Sequence, residues 1–512
     1  MNKLDEVRTG LLARNTLLNF IGQAVPLLVG VITVPIVVRG LGTERYGLLS
    51  LAWMVLGYFA IFDLGLGVAT TKFVAEALGK DAKDQIPQIV WTAVTFQAVL
   101  GVVGALVVFG ITPLLVDRIL NIPSELVGEA KAVFFLLAVS VPVALVSGSF
   151  RGVLAATQRF DLVNAVKIPT SISTFLLPLV GVLVGFKLPG IVALILAARV
   201  GALTAFVAAS LRLVPSLKNY AGSISFFPRL FAFGGWVTIS NIVSPMLVYM
   251  DRFLIGSLIS MSAVSYYSIP YQAVTTLWII PGSLTMTLFP AFSALEAVKD
   301  RQRLSTLFAR SVKFVLLILG PILLVTGLFA KEILQIWLGA DFGIRSTAVL
   351  RILALGVFIN SLAHTPYALL QGMGRPDLPA KFHLLELPIY IGVVWLLVSR
   401  WGISGAAAAW TMRVTVDAFL LFWATFKVNH FSPRVLRANG TALAGLALAV
   451  LVGAAYATRA LADALPLPVQ AVLVVMLLAL FGWVSWRYIV DAADRAAVTA
   501  MSQLWKKPRN AT

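Results

Sequence analysis

GIVALILAARVGALTAFVAASL (residues 190–211) carries one charge in 22 residues. As an α-helix it is about 33 Å long, enough to cross a bilayer core of ~30 Å. Its apolar residues are continuous rather than alternating, which fits a helix and not a barrel strand. The single charge, Arg199, falls near its middle.

The same ruler finds further apolar runs near 15–38, 46–66, 88–110, 131–155, 167–186, 231–255, 264–289, 312–336, 346–370, 383–400, 404–426, 439–460 and 468–489. The fold expected is an all-α integral membrane protein with about 14 transmembrane helices. Composition agrees. The chain of 512 residues is 59% hydrophobic and 12% charged, where soluble domains carry about 25% charged residues. Residues 1–14 are polar, and the run 15–38 is too long for a signal-peptide core of about 7–15 residues. It reads as the first span.

With no cysteine, disulfides, thiol catalysis and Cys-ligated metals are excluded. His364, His383 and His430 form no close-spaced ligand pair, so neither a metal nor a cofactor is expected. No connecting stretch exceeds about 25 residues. That leaves no room for a soluble catalytic domain, and no Gly-rich phosphate loop is present. An enzyme is not expected.

Lys and Arg set the orientation. The N-terminus, alternate loops and the C-terminal tail hold 27 of them, the opposite loops hold 9, and four arginines lie inside spans. By the positive-inside rule both termini are cytoplasmic. The net charge of +18 is thus a topology signal. No clustered basic face suggests nucleic-acid binding.

The chain repeats itself. Residues 132–162 match 348–378 at a constant offset of 216. The informative part is Arg159-x-Asp161-Leu162, recurring as Arg375-x-Asp377-Leu378 after the fourth helix of each half. Arg199 and Arg413 fall midway along the sixth and twelfth spans, at an offset of 214. Six is even, so the repeat is parallel, about an axis along the membrane normal. The division expected is an N-terminal six-helix lobe at 1–220, a C-terminal six-helix lobe at 221–430, two added helices at 431–490 and a cytoplasmic tail at 491–512.

Three motifs carry a family resemblance: Arg39-Gly-Leu-Gly-x-x-x-Tyr46-Gly, Asp63-Leu-Gly-Leu-Gly67 and Tyr249-Met-Asp251-Arg252-Phe-Leu-Ile-Gly256. With the six-plus-six-plus-two pattern, the chain resembles the polysaccharide-transporter branch of the multidrug/oligosaccharidyl-lipid/polysaccharide exporter superfamily. The resemblance covers about residues 10–430. It implies a bacterial inner-membrane flippase for undecaprenyl-diphosphate-linked oligosaccharide, serving O-antigen, exopolysaccharide or capsule synthesis. It implies two lobes and alternating access, with a proton or sodium counter-ion and a polysaccharide polymerase as potential partners. A multidrug exporter or lipid II flippase is the rival within the superfamily. A membrane-embedded polymerase or glycosyltransferase is the rival from another class, but would want a large extramembrane loop or a nucleotide-sugar site.

Charges inside a membrane cost about 2.5–3.5 kcal/mol each on insertion scales. Arg199 has no acid one turn on, since residue 203 is Leu203. It either faces a wet lumen and meets an anion or pairs with another helix. Arg413 has Asp417 one turn on and reads equally as a paired residue. Arginine suits a diphosphate because its planar fork engages two oxygens. Arg252 and Arg351, also candidate substrate contacts, lie where snorkelling is the simpler reading. Asp251 and Asp417 are candidates for ion coupling or gating. Gln23 and Asn241, with Asn19 and Asn360, either bind sugar or glue helices at about 0.6 kcal/mol each. Asp63, Glu76, Arg159, Asp161, Arg375 and Asp377 suit turn or gate roles at cytoplasmic ends, and His364 reads as a buried neutral histidine. Trp and Tyr near span ends read as interfacial belts.

Overall fold

A computed structural model describes residues 3–58, 66–82, 84–223, 226–432, 434–461, 465–491 and 494–495. Among the described residues the regular structure is all helix. In order these are α1 (Lys3–Tyr58), α2 (Leu66–Gly79), α3 (Gln85–Leu114), α4 (Val127–Ala156), α5 (Phe160–Leu183) and α6 (Leu188–Leu213). Then come α7 (Phe227–Leu258), α8 (Met261–Thr275), α9 (Ile279–Ala297) and α10 (Arg301–Leu328), and the short α11 (Ala330–Leu338) and α12 (Ala340–Arg345). Last are α13 (Thr347–Gly372), α14 (Asp377–Asn429), the short α15 (Arg434–Ala438), α16 (Thr441–Leu461) and α17 (Leu467–Val484).

Two of these helices are hairpins. α1 breaks at Gly42, with φ 79° and ψ 162°. A Cβ on Gly30 would lie 3.1 Å from the Phe175 ring, and Trp53 meets the same ring edge-on at 5.9 Å. An unbroken helix from residue 30 to residue 53 would hold them about 35 Å apart. The chain therefore reverses at Gly42. α14, straight, would be about 80 Å long. It breaks at Gly402, with φ 58° and ψ −138°, a geometry that glycine tolerates. The Cβ position of Gly405 falls 1.9 Å from the Leu397 carbonyl oxygen, so the chain doubles back there too.

Ten segments among the described residues are long and apolar enough to cross a membrane, two of them containing these hairpins. The chain is a multi-pass membrane protein. The expected second span stops at residue 66, whereas α2 runs from Leu66 to Gly79. The ninth was expected to reach 336, but α10 ends at Leu328 and α11 is a separate amphipathic helix, because Lys331 and Glu332 interrupt the apolar run.

The repeat is written in the turns as well as the sequence. Arg159 N–H donates to the Leu154 carbonyl at 2.9 Å, and Arg375 N–H to the Leu370 carbonyl at 2.9 Å. Gln158 and Gly374, just before them, both adopt positive φ, at 59° and 72°. Each arginine then grips its aspartate with two parallel bonds, at 2.9 and 2.8 Å in the first copy and 3.0 and 3.3 Å in the second. A further match appears between α2 and α3 and between α9 and α10. There Asp81 and Lys299 take φ of 55° and 54°, and the next residue in each case donates five residues back. These are helix C-caps closed by a left-handed residue.

The helices form two compact units. The first comprises Met1–Thr276, Gln335–Val349 and His383–Trp410. Its core joins α2, α3, α4 and α6 through Leu66, Phe73, Val90, Phe150, Leu154 and Phe206. The second comprises Leu277–Leu334, Leu350–Phe382 and Thr411–Thr512. In it Phe308 is ringed by Phe422, Phe426 and Phe431 at 5.8–6.1 Å. The helices α16 and α17 pack on α10 through Leu324, Leu328, Leu448, Leu451, Val474 and Phe481.

Candidate functional site

Arg199 lies midway along α6. It is half-buried and makes no hydrogen bond or ion pair with any described residue. It lines a narrow crevice with Leu49, Ala52 and Trp53 of α1 and Leu136 and Ser140 of α4. Of the two readings open for this residue, an ion pair with another helix finds no partner among the described residues. Among the described residues nothing offsets the cost of this charge within an apolar helix.

Asp251 and Arg252 sit in α7 and are buried, at 0% and 7% exposure. The Tyr267 hydroxyl of α8 donates to Asp251 Oδ2. Asp251 Oδ1 accepts from the Arg252 backbone N–H at 2.7 Å and lies 4.0 Å from its guanidinium. That guanidinium stacks 4.1 Å over the Tyr271 ring and 5.3 Å from Tyr249, and donates to the Val248 carbonyl at 2.9 Å. The cation is held by its own unit rather than reaching a headgroup. Tyr267→Phe removes one donor from a buried carboxylate and is expected to lower stability by about 1–3 kcal/mol. Thermal unfolding in detergent checks this; an unchanged melting temperature would show that Asp251 does not need the tyrosine.

In the second unit Asp417 is buried and acts electrostatically on His364 and Tyr367 of α13. Arg413, one turn before it, is half-buried. His364 itself is half-buried, with its Nε2 shielded from solvent and its ring edge-on to Trp278 at 6.5 Å. Arg351 is exposed and donates to the Gly327 carbonyl at 3.2 Å, near the end of α10. The side chains of Gln23, Asn19 and Asn241, and all of Asp63, lie outside the described residues. Among the described residues no group of His, Asp and Glu could hold a metal.

The model of the family described as "Polysaccharide biosynthesis protein" matches residues 12–296, over half of the chain. The chain belongs to that family. Within this polysaccharide biosynthesis family, the "Putative O-antigen transporter" of Shigella flexneri is 30% identical over 80% of the chain and 96% of its own length. The "Probable low-salt glycan biosynthesis flippase Agl15" of Haloferax volcanii is 25% identical over 40% of the chain and 42% of its own. A MatE model also matches, at residues 237–396. Two solved structures share the fold. The lipid II flippase MurJ, inward closed, aligns with TM-score 0.71 and 13% identity over 94% of this chain and 100% of its own. An inward-facing MATE multidrug transporter aligns with TM-score 0.70 and 16% identity over 81% and 94%.

The sequence reading missed several residues of this family member. Glu386 is buried within α14, and Lys313 within α10. Each sits close to a span end, where a charge is easily taken for a loop residue. Trp and Tyr near span ends were read as interfacial belts, yet Tyr46, at the start of an expected span, is buried at 1% exposure. Further inside the spans Trp410 is also 1% exposed, and the Trp53 indole nitrogen is shielded from solvent. The tail expected at 491–512 is not all exposed, since Asp494 is buried at 2%.

Proposed function

We propose that this chain is a flippase that moves polyprenyl-diphosphate-linked oligosaccharide repeat units across the bacterial inner membrane for cell-surface polysaccharide synthesis. The observation that carries the proposal is Arg199, a half-buried cation midway along an apolar helix with no partner among the described residues. An anionic headgroup supplies the charge that the described residues do not. The family membership and the printed name of the Shigella relative support the choice of a lipid-linked glycan.

In this reading the diphosphate is engaged by Arg199 of the first unit, Arg413 is the equivalent anion contact on the second unit's own helix, and the polyprenyl chain stays in lipid. The repeated halves, 1–220 and 221–430, alternate access, with both termini cytoplasmic. An inside-negative potential favours outward movement of the anion by about 2.3 kcal/mol per charge per 100 mV. Asp251 and Asp417 are the acids available for proton or sodium coupling. Arg252 and Arg351, each engaged within its own unit, act by positioning rather than by gripping substrate.

The test is complementation of a flippase-null strain, followed by Arg199→Ala and Arg413→Ala at equal protein levels. Complementation is expected from the native chain, with a loss of at least tenfold in surface glycan from Arg199→Ala. Normal glycan in both variants would sink the arginine assignment, and failure of the native chain to complement would sink the function.

A further inference from the structure

Two of the sequence motifs meet in the first unit. Arg39-Gly-Leu-Gly-x-x-x-Tyr46-Gly47 holds the turn of α1, at the far end of its first arm and so on the face opposite the N-terminus. Tyr249-Met-Asp251-Arg252-Phe-Leu-Ile-Gly256 nears the end of α7, just before the turn into α8. The first motif belongs to the first sequence repeat and the second motif opens the second repeat, yet both lie in one compact unit.

A Cβ on Gly47 would lie 1.9 Å from the Met261 carbonyl oxygen, so α1 rests directly on the first residue of α8. Beside it the Thr43 hydroxyl donates to Ser262 Oγ at 3.4 Å, and the Ser265 hydroxyl donates to the Thr43 carbonyl. Asn121, in the connection between α3 and α4, adds a second tie. Its backbone N–H donates to the Gly256 carbonyl at 2.9 Å and its side chain to the Ile259 carbonyl at 2.7 Å. Under this polar rim Leu51 of α1, Ile255 of α7, and Met261 and Val264 of α8 are all 0% exposed. A Cβ on Gly256 would meet the side chains of Met261, Leu51 and Val264 within 3.3 Å. A close-packed apolar plug leaves no path for a sugar headgroup through this joint. The rim is made of weak ties, because water replaces each hydrogen bond when it breaks. At Gly47 no side chain interlocks α1 with α8, so the two can part as rigid bodies.

We propose that the α1 turn, Asn121 and the turn from α7 to α8 form a latch that seals the face opposite the N-terminus, and that α1 and α8 part there to release the glycan. The latch rests on the flippase reading and deepens it by naming the contact that breaks when access switches. It gives both glycine-bearing motifs one task, a smooth joint between the two repeats.

The chain has no cysteine, so introduced thiols report without background. Thr43→Cys with Ser262→Cys replaces two hydroxyl oxygens 3.4 Å apart by sulfurs, close enough for a disulfide. The bond is formed with copper phenanthroline in isolated membranes and read as protection from a polyethylene-glycol maleimide. In a flippase-null strain each single variant is expected to restore surface glycan as the native chain does. With about nine-tenths of the double variant crosslinked, glycan should fall about tenfold, and dithiothreitol in the medium should restore it. Asn121→Cys with Ile259→Cys, joined in cells by a short bis-maleimide, should show the same loss and carries the test if the first pair fails to fold. Folded double variants that do not crosslink, or crosslinked chains that restore native glycan, overturn the latch. A native chain that restores no glycan overturns the flippase reading, and the crosslink alone then decides whether the two motifs meet.

Discussion

Lys313→Ala is expected to destabilise the second unit by about 3–5 kcal/mol, the cost of leaving a buried charge without its partner. Lys313 Nζ lies 2.5 Å from Asp494 Oδ2, and the two side chains are 1% and 2% exposed. Around them Arg310 donates to Asp491 at 2.9 Å and approaches Asp494 at 3.6 Å. Asp491 and Asp494 also accept each other's backbone N–H groups, at 2.7 and 3.2 Å. Burial pushes the Asp491 carboxyl up, but the Asp494 N–H and the Arg310 and Lys313 cations outweigh it and hold it below its usual range. Removing Lys313 leaves the Asp494 carboxylate with only the longer Arg310 contact and a backbone donor. The change reads out as a lower melting temperature in detergent. The double variant Lys313→Met with Asp494→Leu removes both charges and should recover most of the loss. A single variant as stable as the native chain would show that the pair carries no weight.

The pair matters because it fixes the two helices outside the repeat. At its start, Thr441 Oγ1 of α16 donates to the Ala309 carbonyl of α10 at 2.8 Å. At its far end, Arg459 binds Glu332 of α11 and lies 4.8 Å from the Phe329 ring. With the leucine packing in between, α16 is held to α10 along its length. The added helices belong to the second unit, which sequence reasoning left as an addition of unknown attachment.

What the sequence revealed followed from what a bilayer penalises. Apolar runs marked most spans because every backbone group must be satisfied inside the helix. The repeat was legible through Arg159-x-Asp161 and Arg375-x-Asp377, since a two-residue ionic clasp needs particular residues at fixed spacing. The matching caps at Asp81 and Lys299 were invisible, because a left-handed backbone can be shared by two unlike residues. Partnership was the other blind spot. Lys313 and Asp494 lie far apart in the chain and meet only in the folded unit. Tyr46 opens an expected span, as a belt residue would, and only burial shows that its polar tip points inward. Arg199 could be singled out because an arginine amid apolar helix is anomalous before any partner is known.

The second large effect is expected at two glycines where backbone meets backbone. A Cβ on Gly47 would lie 1.9 Å from the Met261 carbonyl oxygen, and one on Gly405 1.9 Å from that of Leu397. No side chain can rotate away in either case, so a whole helix must shift. Gly47→Ala and Gly405→Ala should each cost about 3 kcal/mol or more, the upper end of overpacking. Gly453→Ala is the control: nothing lies within 4 Å of its Cβ, and α16 should gain up to about 1 kcal/mol from the better helix former. Melting temperatures in detergent separate the three, and equal values would remove close packing as the reason for Gly47 and Gly405. Gly47 also bears on substrate binding. The contact pins the second arm of α1 to the start of α8, where Ser265 donates to the Thr43 carbonyl. That arm carries Leu49, Ala52 and Trp53, which line the Arg199 crevice. Pushing it off α8 would shift these walls against Arg199, so Gly47→Ala should weaken diphosphate binding as well as stability. Gly405→Ala acts on α14, outside the elements that line the Arg199 crevice. Its folded fraction should keep diphosphate affinity within about twofold of native, so the two glycines separate a packing defect from a binding defect.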